Sequence, residues 1–436
     1  MTNKPKIALI GAGSAGFGKN FVADVLLRPA LAQGTLALMD INPDNLDVIA
    51  ALARKMAAQL NSPITLEPTT ERRRALDGAD YVVSVIEAPG GIEANKIERR
   101  ISAKYGVDQA IGCTTGLGGV FRTLRYMPVM LDICRDMQAL CPGAWLLHYA
   151  NPTTMVPWAL SVASPIQSVG MCHSVRGTAM QLAGIIGAPY EETGHWVAGV
   201  NHQAWFLRFE WNGRDAYPLL RQKMEEPAVY EQERVRWEMM RYFGYFLTES
   251  STHNSEYVPY FRKNPELIQR FTPRAAGQPD HQTSYQRHGQ EKREAQRREA
   301  HGDAPIDIQR SHEYSAEVID AMVTDVPCRF NGNVLNTGLI TNLPDGCCVE
   351  VPCLVDNMGI HPCYVGDLPP QCAALNRSRI AGDELAVKAA LELDRKAAEQ
   401  AVALDPLTAA VCTLDHIRDM VAETFDALAE YLPQFA

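Results

Sequence analysis

Residues 6–16 read KIALIGAGSAG, an apolar run followed at once by glycines in the pattern GxGxxG. The run predicts a buried strand, and residues 21–27, FVADVLL, predict a helix after the glycine turn. A second apolar run at residues 36–39 ends at Asp40, which can accept hydrogen bonds from ribose hydroxyls. This order of strand, glycine turn, helix, strand and acid is typical of a Rossmann unit and predicts binding of NAD rather than NADP.

Each position of the glycine turn has an expected role in binding the cofactor. Gly11 permits a tight turn, Gly13 lets the backbone approach a pyrophosphate, and Gly16 allows the helix to pack closely on the strand. Ser14 and Ala15 lie between the glycines, near the predicted helix N-terminus, where N–H groups are available to phosphates. The alternative interpretation is a glycine turn that serves packing alone.

The first half of the chain alternates predicted strands with predicted helices, which indicates a parallel, doubly wound sheet. Ligands of such sheets bind outside the carboxyl ends of the strands. The residues that directly follow predicted strands are Gly11, Asp40, Glu87, Asn151 and Cys172. We expect them to meet in one crevice, with Glu87 beside the cofactor.

The second half of the chain is mixed in pattern. Residues 206–211 alternate as in a strand, and Asn212-Gly213 predicts a hairpin turn after it. Residues 277–310 are polar, and we interpret part of this stretch as an exposed helix or a mobile flap, with the ordinary exposed helix favoured. The segments with helical periodicity are residues 290–300, 384–401 and 414–431.

These patterns predict an α/β protein similar to the lactate and malate dehydrogenases. We expect a Rossmann-type NAD-binding domain at residues 1–195, built on a doubly wound sheet. The remaining residues, 196–436, are expected to form a mixed α+β domain for substrate binding and oligomerisation.

Length and composition limit the classes of protein that the sequence allows. A chain of 436 residues suits two domains or one large domain, and a net charge of −10 argues against nucleic acid as a partner. The N-terminus does not resemble a signal peptide, and no apolar run is long enough to span a bilayer. The 11 scattered cysteines are typical of reduced thiols. We expect a cytoplasmic protein that forms a homodimer or a homotetramer.

A cysteine and a histidine in the middle of the chain have the chemistry of a metal site. Cys172 and His173 directly follow a predicted strand, and His202 occupies the equivalent place after another. A thiolate and an imidazole at two strand ends can share one divalent metal, and two protein ligands leave positions open, as a catalytic metal requires. The alternative interpretation is an ordinary core cysteine and a histidine with a satisfied hydrogen bond.

Several motifs follow one another in order along the chain. They lie at residues 11–16, 151–152, 171–178, 199–202, 248–251, 342–351 and 405–411. Together these motifs resemble the signatures of glycoside hydrolase family 4. The resemblance is closest to the α-galactosidase branch of the family, to which α-galacturonidases and α-glucuronidases are related.

The resemblance implies a redox-assisted glycosidase with NAD and a divalent metal, usually Mn²⁺, as cofactors. In this family NAD takes a hydride from C3 of the sugar, a base removes the acidified C2 proton, and an acid protonates the leaving oxygen. Water then adds, and the hydride returns to C3. Cys172 and His202 match the family's metal ligands, and Asn151 matches its substrate-contacting asparagine. His173 stands where members that act on phosphorylated sugars carry an aspartate acid, which argues against a 6-phospho-glycosidase and offers an imidazole as the acid.

The resemblance does not identify the catalytic base or the sugar of the substrate. Ser250 aligns with the tyrosine that some members use as base, so the candidates are Tyr257, ranked first, His253 and Glu249. Glu249 is also a candidate substrate contact, and the alternative for Tyr257 is an aromatic side chain packed beneath the site. Cys113 stands where α-galactosidase relatives carry an aspartate that contacts substrate.

Two arginines bear on the choice of sugar. Arg122 and Arg125 lie just beyond Cys113 and could face a uronate carboxylate or pair with acids of the protein, and we favour the pairing.

The sequence therefore predicts an NAD- and Mn²⁺-dependent α-glycosidase acting on a small α-linked glycoside, with α-galactoside as the favoured class. An α-galacturonidase or α-glucuronidase of the same family is the nearest alternative. Two alternatives from other functional classes also remain open. They are a malate- or lactate-type dehydrogenase and a non-catalytic NAD sensor. We expect neither nucleic acid nor a membrane as partner.

Overall fold

One sheet of twelve strands runs through the part of the chain that this computed structural model describes, residues 4–273 and 281–435. The strands are β1 (Lys6–Ile10), β2 (Thr35–Met39), β3 (Thr65–Thr69), β4 (Tyr81–Ser84), β5 (Trp145–His148), β6 (Ser168–Met171), β7 (Thr193–Val200), β8 (Gln203–Trp211), β9 (Arg214–Asp215), β10 (Cys328–Leu335), β11 (Cys348–Asp356) and β12 (Gly359–Pro362).

Helices cover both faces of this sheet. They are α1 (Gly18–Leu26), α2 (Pro43–Gln59), α3 (Arg72–Leu76), α4 (Gly91–Lys104), α5 (Gly116–Leu140), α6 (Met155–Ala163), α7 (Ser174–Ile186), α8 (Tyr217–Lys223), α9 (Pro227–Tyr230), α10 (Arg234–Phe243), α11 (Ser251–Asn254), α12 (Pro265–Phe271), α13 (His281–His301), α14 (Ser315–Thr324), α15 (Pro370–Glu392), α16 (Arg395–Ala403), α17 (Pro406–Val411) and α18 (Leu414–Ala427).

The strand order confirms the predicted doubly wound arrangement. The order is β3-β2-β1-β4-β5-β6-β10-β11-β7-β8-β9, and the first six strands in it pair in parallel. From β10 onward the pairing is antiparallel. The proposed boundary after residue 195 falls inside β7, and the sheet runs on through it. The division into two domains therefore stays a prediction.

The side chains of β1 show why the parallel strands are apolar throughout. Ile7 and Leu9 pack into a core with α1 and α2, whereas Ala8 and Ile10 face a second core that includes α5 and α18. Because helices cover both faces, Ile7, Ala8, Leu9 and Ile10 are all buried, and no polar alternation remains. The carboxyl ends of these strands stay open for polar groups.

Two predictions about the second half need correction or qualification. The helix expected at residues 384–401 is interrupted, because Leu393 has φ +58° and Asp394 caps a new helix by accepting from the N–H of Lys396 and Ala397. The exposed helix expected within residues 277–310 is part of α13, while residues 277–280 lie outside the described residues. Of the helices described, none is long and apolar enough to cross a membrane.

Candidate active site

The glycine turn forms a cradle at the carboxyl end of β1. Gly11 has φ +89°, and its N–H donates to the carbonyl oxygen of Met39 at the end of β2. A Cβ on Gly13 would lie 2.6 Å from Cβ of Asn45 and 2.8 Å from Oδ2 of Asp40. A side chain at residue 13 would therefore displace Asp40 from its place beside the turn, and a glycine turn with an acid held next to it fits a dinucleotide.

The reason given for the third glycine is wrong. A Cβ on Gly16 would meet nothing within 4 Å, so this residue does not mediate close packing of α1 on β1. The close approach is made by Gly18, the first residue of α1, whose Cβ would overlap the carbonyl oxygen of Ala12. Gly16 instead borders open space above the turn.

The residues between the glycines have partners of their own. The N–H of Ser14 donates to the carbonyl oxygen of Gly11 at 3.0 Å, which closes the turn. The carbonyl oxygen of Ala15 accepts from Nε2 of Gln296 at 2.9 Å, and that of Gly13 accepts from Arg293 at 3.2 Å. Both donors belong to α13, so this helix lies against the glycine turn.

The two acids predicted beside the cofactor lie at strand ends as expected. Asp40 accepts from the N–H of Gly13 at 2.8 Å through Oδ2 and from the N–H of Asn42 at 2.9 Å through Oδ1. A carboxylate has about four lone-pair sites, so capacity for ribose hydroxyls remains. Glu87 follows β4 and pairs with the guanidinium of Arg122.

The two predicted metal ligands, Cys172 and His202, lie next to each other. Cys172 follows β6 and His202 lies between β7 and β8, and Sγ of the cysteine is 3.3 Å from Nε2 of the histidine. Burial raises the pKa of the Cys172 thiol to about 12, with a further increase from the carboxyl of Glu350, and burial lowers the pKa of His202 to about 3. A soft thiol and a neutral imidazole at this separation suit a divalent transition metal, which would stabilise the thiolate.

A carboxylate and a second histidine lie beside His202, and we refer to His202, Glu249, His253 and Cys172 together as the cluster. Ligand atoms of His202, Glu249 and His253 all lie within 4.8 Å of one another. Nδ1 of His253 is 3.0 Å from Oε2 of Glu249 and 2.9 Å from Oγ of Ser250. Burial opposes ionisation of both groups, but their mutual attraction outweighs it, so the pKa of Glu249 is lowered and that of His253 is raised.

Tyr257 lies beneath the cluster, with only 1% of its surface exposed. Its hydroxyl is 3.2 Å from Nδ1 of His202, on the side of the ring away from Cys172, and the two rings are stacked. Burial raises the pKa of Tyr257 well above 10. This is the position described by the alternative interpretation, in which the tyrosine supports the site from below.

The remaining candidates are more exposed than Tyr257. His173 is 59% exposed in its side chain, and its Nδ1 lies 3.1 Å from Oε1 of Glu313, a contact that raises its pKa. Nδ2 of Asn151 lies 3.1 Å from Sγ of Cys113 and 3.2 Å from Oγ1 of Thr114. Asn151 and Cys113 are therefore neighbours, as a shared substrate contact requires.

Both arginines beyond Cys113 are paired with acids. Arg122 pairs with Glu87, and Nη2 of Arg125 lies 2.7 Å from Oε1 of Glu98 in a completely buried ion pair. The favoured prediction, that these arginines pair with acids of the protein, is confirmed.

Sequence reasoning missed two buried carboxyl groups. Glu256 accepts from the N–H groups of Ile111 and Gly112 at 3.1 and 3.2 Å, and so fixes the loop that carries Cys113. Glu350 accepts from Nδ2 of Asn201 at 3.4 Å, directly before His202. The available signal for Glu350 was one acid inside the otherwise apolar run CVEVPCLV, residues 348–355 of β11.

The chain is similar to known proteins over its whole length. A sequence model described as "Family 4 glycosyl hydrolase" matches residues 6–188, and one for the C-terminal domain of that family matches residues 197–408. An α-galactosidase of Bacillus subtilis (strain 168) is 38% identical, with 99% of each chain covered. An α-galactosidase of Rhizobium meliloti (strain 1021) is 37% identical, with 99% of this chain and 90% of the relative covered.

Solved structures confirm the predicted fold. A 6-phospho-α-glucosidase from gut microorganisms, crystallised with NAD and Mn²⁺, superimposes with a TM-score of 0.82 at 22% identity, with 99% of each chain covered. A malate dehydrogenase from Plasmodium falciparum gives a TM-score of 0.54 at 16% identity, with 89% of this chain and 99% of that chain covered. The expected likeness to the malate dehydrogenases is thus confirmed at the level of the fold.

Proposed function

The chain belongs to family 4 of the glycosyl hydrolases, and from that premise we propose that it is an NAD- and Mn²⁺-dependent α-glycosidase that acts on small α-galactosides. The observation that carries the proposal is the Cys172–His202 pair, in which Sγ and Nε2 are 3.3 Å apart. Both residues follow strands of the same sheet that carries the glycine turn. The relatives named as α-galactosidases support the sugar.

The cofactor site that we propose consists of the glycine turn and the acids beside it. Gly11, Gly13, Ser14, Ala15 and Gly16 form the turn, with Asp40 for the ribose and Glu87 farther along the sheet edge. Three strand spacings separate β1 from β6, roughly 14 Å at about 4.8 Å each. An extended dinucleotide bound at the turn can therefore reach toward the metal ligands.

NAD, when bound, would supply a reversible hydride acceptor, and a divalent metal held by Cys172 and His202 would supply Lewis acidity toward sugar oxygens. The protein's own part is to bind the sugar and to move two protons. Asn151 and Cys113 contact sugar hydroxyls, and their mutual contact at 3.1 Å fixes both side chains.

We assign the base to His253, supported by Glu249. Once C3 of the sugar is a ketone, the C2 proton is acidic enough for an imidazole to accept it. Glu249 holds Nδ1 of His253 at 3.0 Å, which orients the ring and increases its basicity. The His253 side chain is 15% exposed, whereas Tyr257 is 1% exposed beneath His202, so a substrate reaches the histidine more readily.

The acid in this proposal is His173. It lies at the rim of the crevice beside Cys172, where a leaving glycosidic oxygen would depart toward solvent. The contact with Glu313 raises its pKa, so that more of the imidazole is protonated near neutral pH. His173 therefore gives a proton to the leaving oxygen as His253 takes one from C2.

The paired arginines favour a neutral sugar over a uronate. Arg122 and Arg125 already neutralise Glu87 and Glu98, so neither is available as a cation for a substrate carboxylate without breaking an ion pair. An α-galacturonidase or α-glucuronidase of the same family is the second candidate, and a malate-type dehydrogenase would share only the fold.

We propose that the enzyme works in the cytoplasm as a homodimer or homotetramer. All 11 cysteines are free thiols, and a Cys172 ligand requires a reducing compartment. Light scattering after size exclusion would test the assembly, because a monomer at working concentration contradicts it.

A panel of nitrophenyl α- and β-glycosides and uronides, with NAD, Mn²⁺ and thiol present, tests the proposed function. We expect the α-galactoside to be cleaved fastest, without net formation of NADH. Cleavage of uronides alone would shift the assignment to the second candidate, and net NADH formation with a hydroxy acid would identify a dehydrogenase. Full activity after complete removal of NAD would contradict the proposal.

A further inference from the structure

The turn that carries His202 has an unfavourable backbone conformation. His202 has φ +63°, in the left-handed region that residues with a Cβ rarely adopt. Three residues earlier, in β7, a Cβ on Gly199 would lie only 2.8 Å from Cα of Ala204, so β7 and β8 approach each other closely. A conformation of this kind persists only where surrounding groups hold it.

Helix α15 supplies polar side chains on the face toward this turn. Asn376, Arg379 and Asp383 are spaced by three and four residues, so they share one helix face, and each is at most 3% exposed. Nδ2 of Asn376 donates to the carbonyl oxygen of Gln203 at 2.9 Å, directly after His202. Asp383 lies 3.6 Å from Nε of Arg379.

Arg379 contacts two groups that flank His202. Its Nη1 donates to the carbonyl oxygen of Asn201 at 2.6 Å, which fixes the peptide that precedes His202. Its guanidinium carbon lies 4.9 Å from the ring centroid of Tyr257, whose hydroxyl is 3.2 Å from Nδ1 of His202. One side chain thus holds the backbone before the histidine and the phenol behind its ring.

We propose that Arg379 is a positioning residue for the metal site, which directs Nε2 of His202 toward Cys172. The inference rests on the proposed function, since it assumes that these two residues bind the metal. Asn201 is also held from β11 by Glu350 at 3.4 Å, so α15 and β11 fix the turn from two directions. Partners that orient a ligating histidine typically change metal affinity by about 10–100-fold when they are replaced.

Two variants separate positioning from packing. Arg379→Met keeps an unbranched stem but removes the donors and the charge over Tyr257. Arg379→Lys keeps the charge, but an ammonium cannot reproduce the flat guanidinium that spans the carbonyl of Asn201 and the phenol ring. The matched control is Arg377→Met on the same helix, because Arg377 is exposed and donates to the carbonyl oxygen of Asn342 at 2.7 Å.

The experiment titrates the full-length protein, saturated with NAD, with Mn²⁺ alone and measures free Mn²⁺ by electron paramagnetic resonance. We expect Arg379→Met to raise the Kd for Mn²⁺ by about 10–100-fold. Arg379→Lys should fall between that variant and the wild type, while Arg377→Met and the affinity for NAD stay unchanged.

Three outcomes would count against the proposal. Wild-type Mn²⁺ affinity in Arg379→Met, whatever its thermal stability, would show that Arg379 serves packing only. If Arg379→Met does not fold, Arg379→Lys decides alone, and wild-type affinity there overturns the inference. Failure of the wild type to bind Mn²⁺ would overturn the proposed function itself, and the inference with it.

Discussion

Adding one methyl group at Gly18 tests how closely α1 packs against the glycine turn. The Cβ of Gly18→Ala would overlap the carbonyl oxygen of Ala12, a backbone atom that cannot rotate aside. Overpacking of this kind typically costs about 1–3 kcal/mol, and a rigid neighbour favours the upper end. We therefore expect α1 to shift from β1 and the free energy of unfolding to fall by about 3 kcal/mol.

The matched control is Gly16→Ala, two residues earlier. Its Cβ would meet nothing within 4 Å of protein, so its free energy of unfolding should stay within about 0.5 kcal/mol of the wild type. The added methyl would project into the space that we assign to the cofactor, and we expect the Kd for NAD to rise about tenfold, equivalent to about 1.4 kcal/mol.

Urea unfolding without NAD and calorimetric titration with NAD measure both quantities. Equal stabilities of the Gly18→Ala variant and the wild type would refute the packing argument. A Gly16→Ala variant as unstable as Gly18→Ala would show that the close contact lies at the third glycine after all.

The remaining predictions concern single residues of the site. Asp40→Ala should weaken NAD binding by about 1–3 kcal/mol through lost hydrogen bonds to the ribose, and an unchanged calorimetric affinity would remove Asp40 from the site. Cys172→Ser should abolish activity and Mn²⁺ binding while NAD affinity stays close to that of the wild type, so a full complement of Mn²⁺ in the variant, by metal analysis, would disprove the ligand. His253 must be neutral to accept a proton, and Glu249 raises its pKa. Activity should therefore fall as the pH drops through that pKa, and Glu249→Gln should move this limb of the kcat/KM profile to lower pH. If the acidic limb of the profile does not move in Glu249→Gln, the proposed Glu249–His253 pair is wrong.

The N-terminal half could be predicted because its signals are local. The apolar strand at Lys6–Ile10, the glycines after it and Asp40 at the end of the next strand lie within one short stretch. Strand β3 was missed because it contains Pro68, which is tolerated there since β3 is the edge of the sheet.

The second half depends on contacts between distant segments. Strand β10 pairs with β6, which lies more than a hundred residues earlier in the chain. The periodicity of apolar residues does not indicate which distant strands pair. Spacing alone does not rank the three base candidates, and our proposal of His253 uses a backbone detail. Glu249 has φ +71°, which turns its carboxylate toward His253, whereas Tyr257 is drawn beneath His202.

Hydrolysis in D₂O, with the released sugar examined by NMR, tests the central claim most directly. Removal of the C2 proton by His253 and return of a proton from an exchangeable group should place deuterium at C2 of the product. A direct displacement at C1 never breaks the C2–H bond. We predict a galactose that carries deuterium at C2, whereas a product with only protium at C2 after complete turnover would contradict the account.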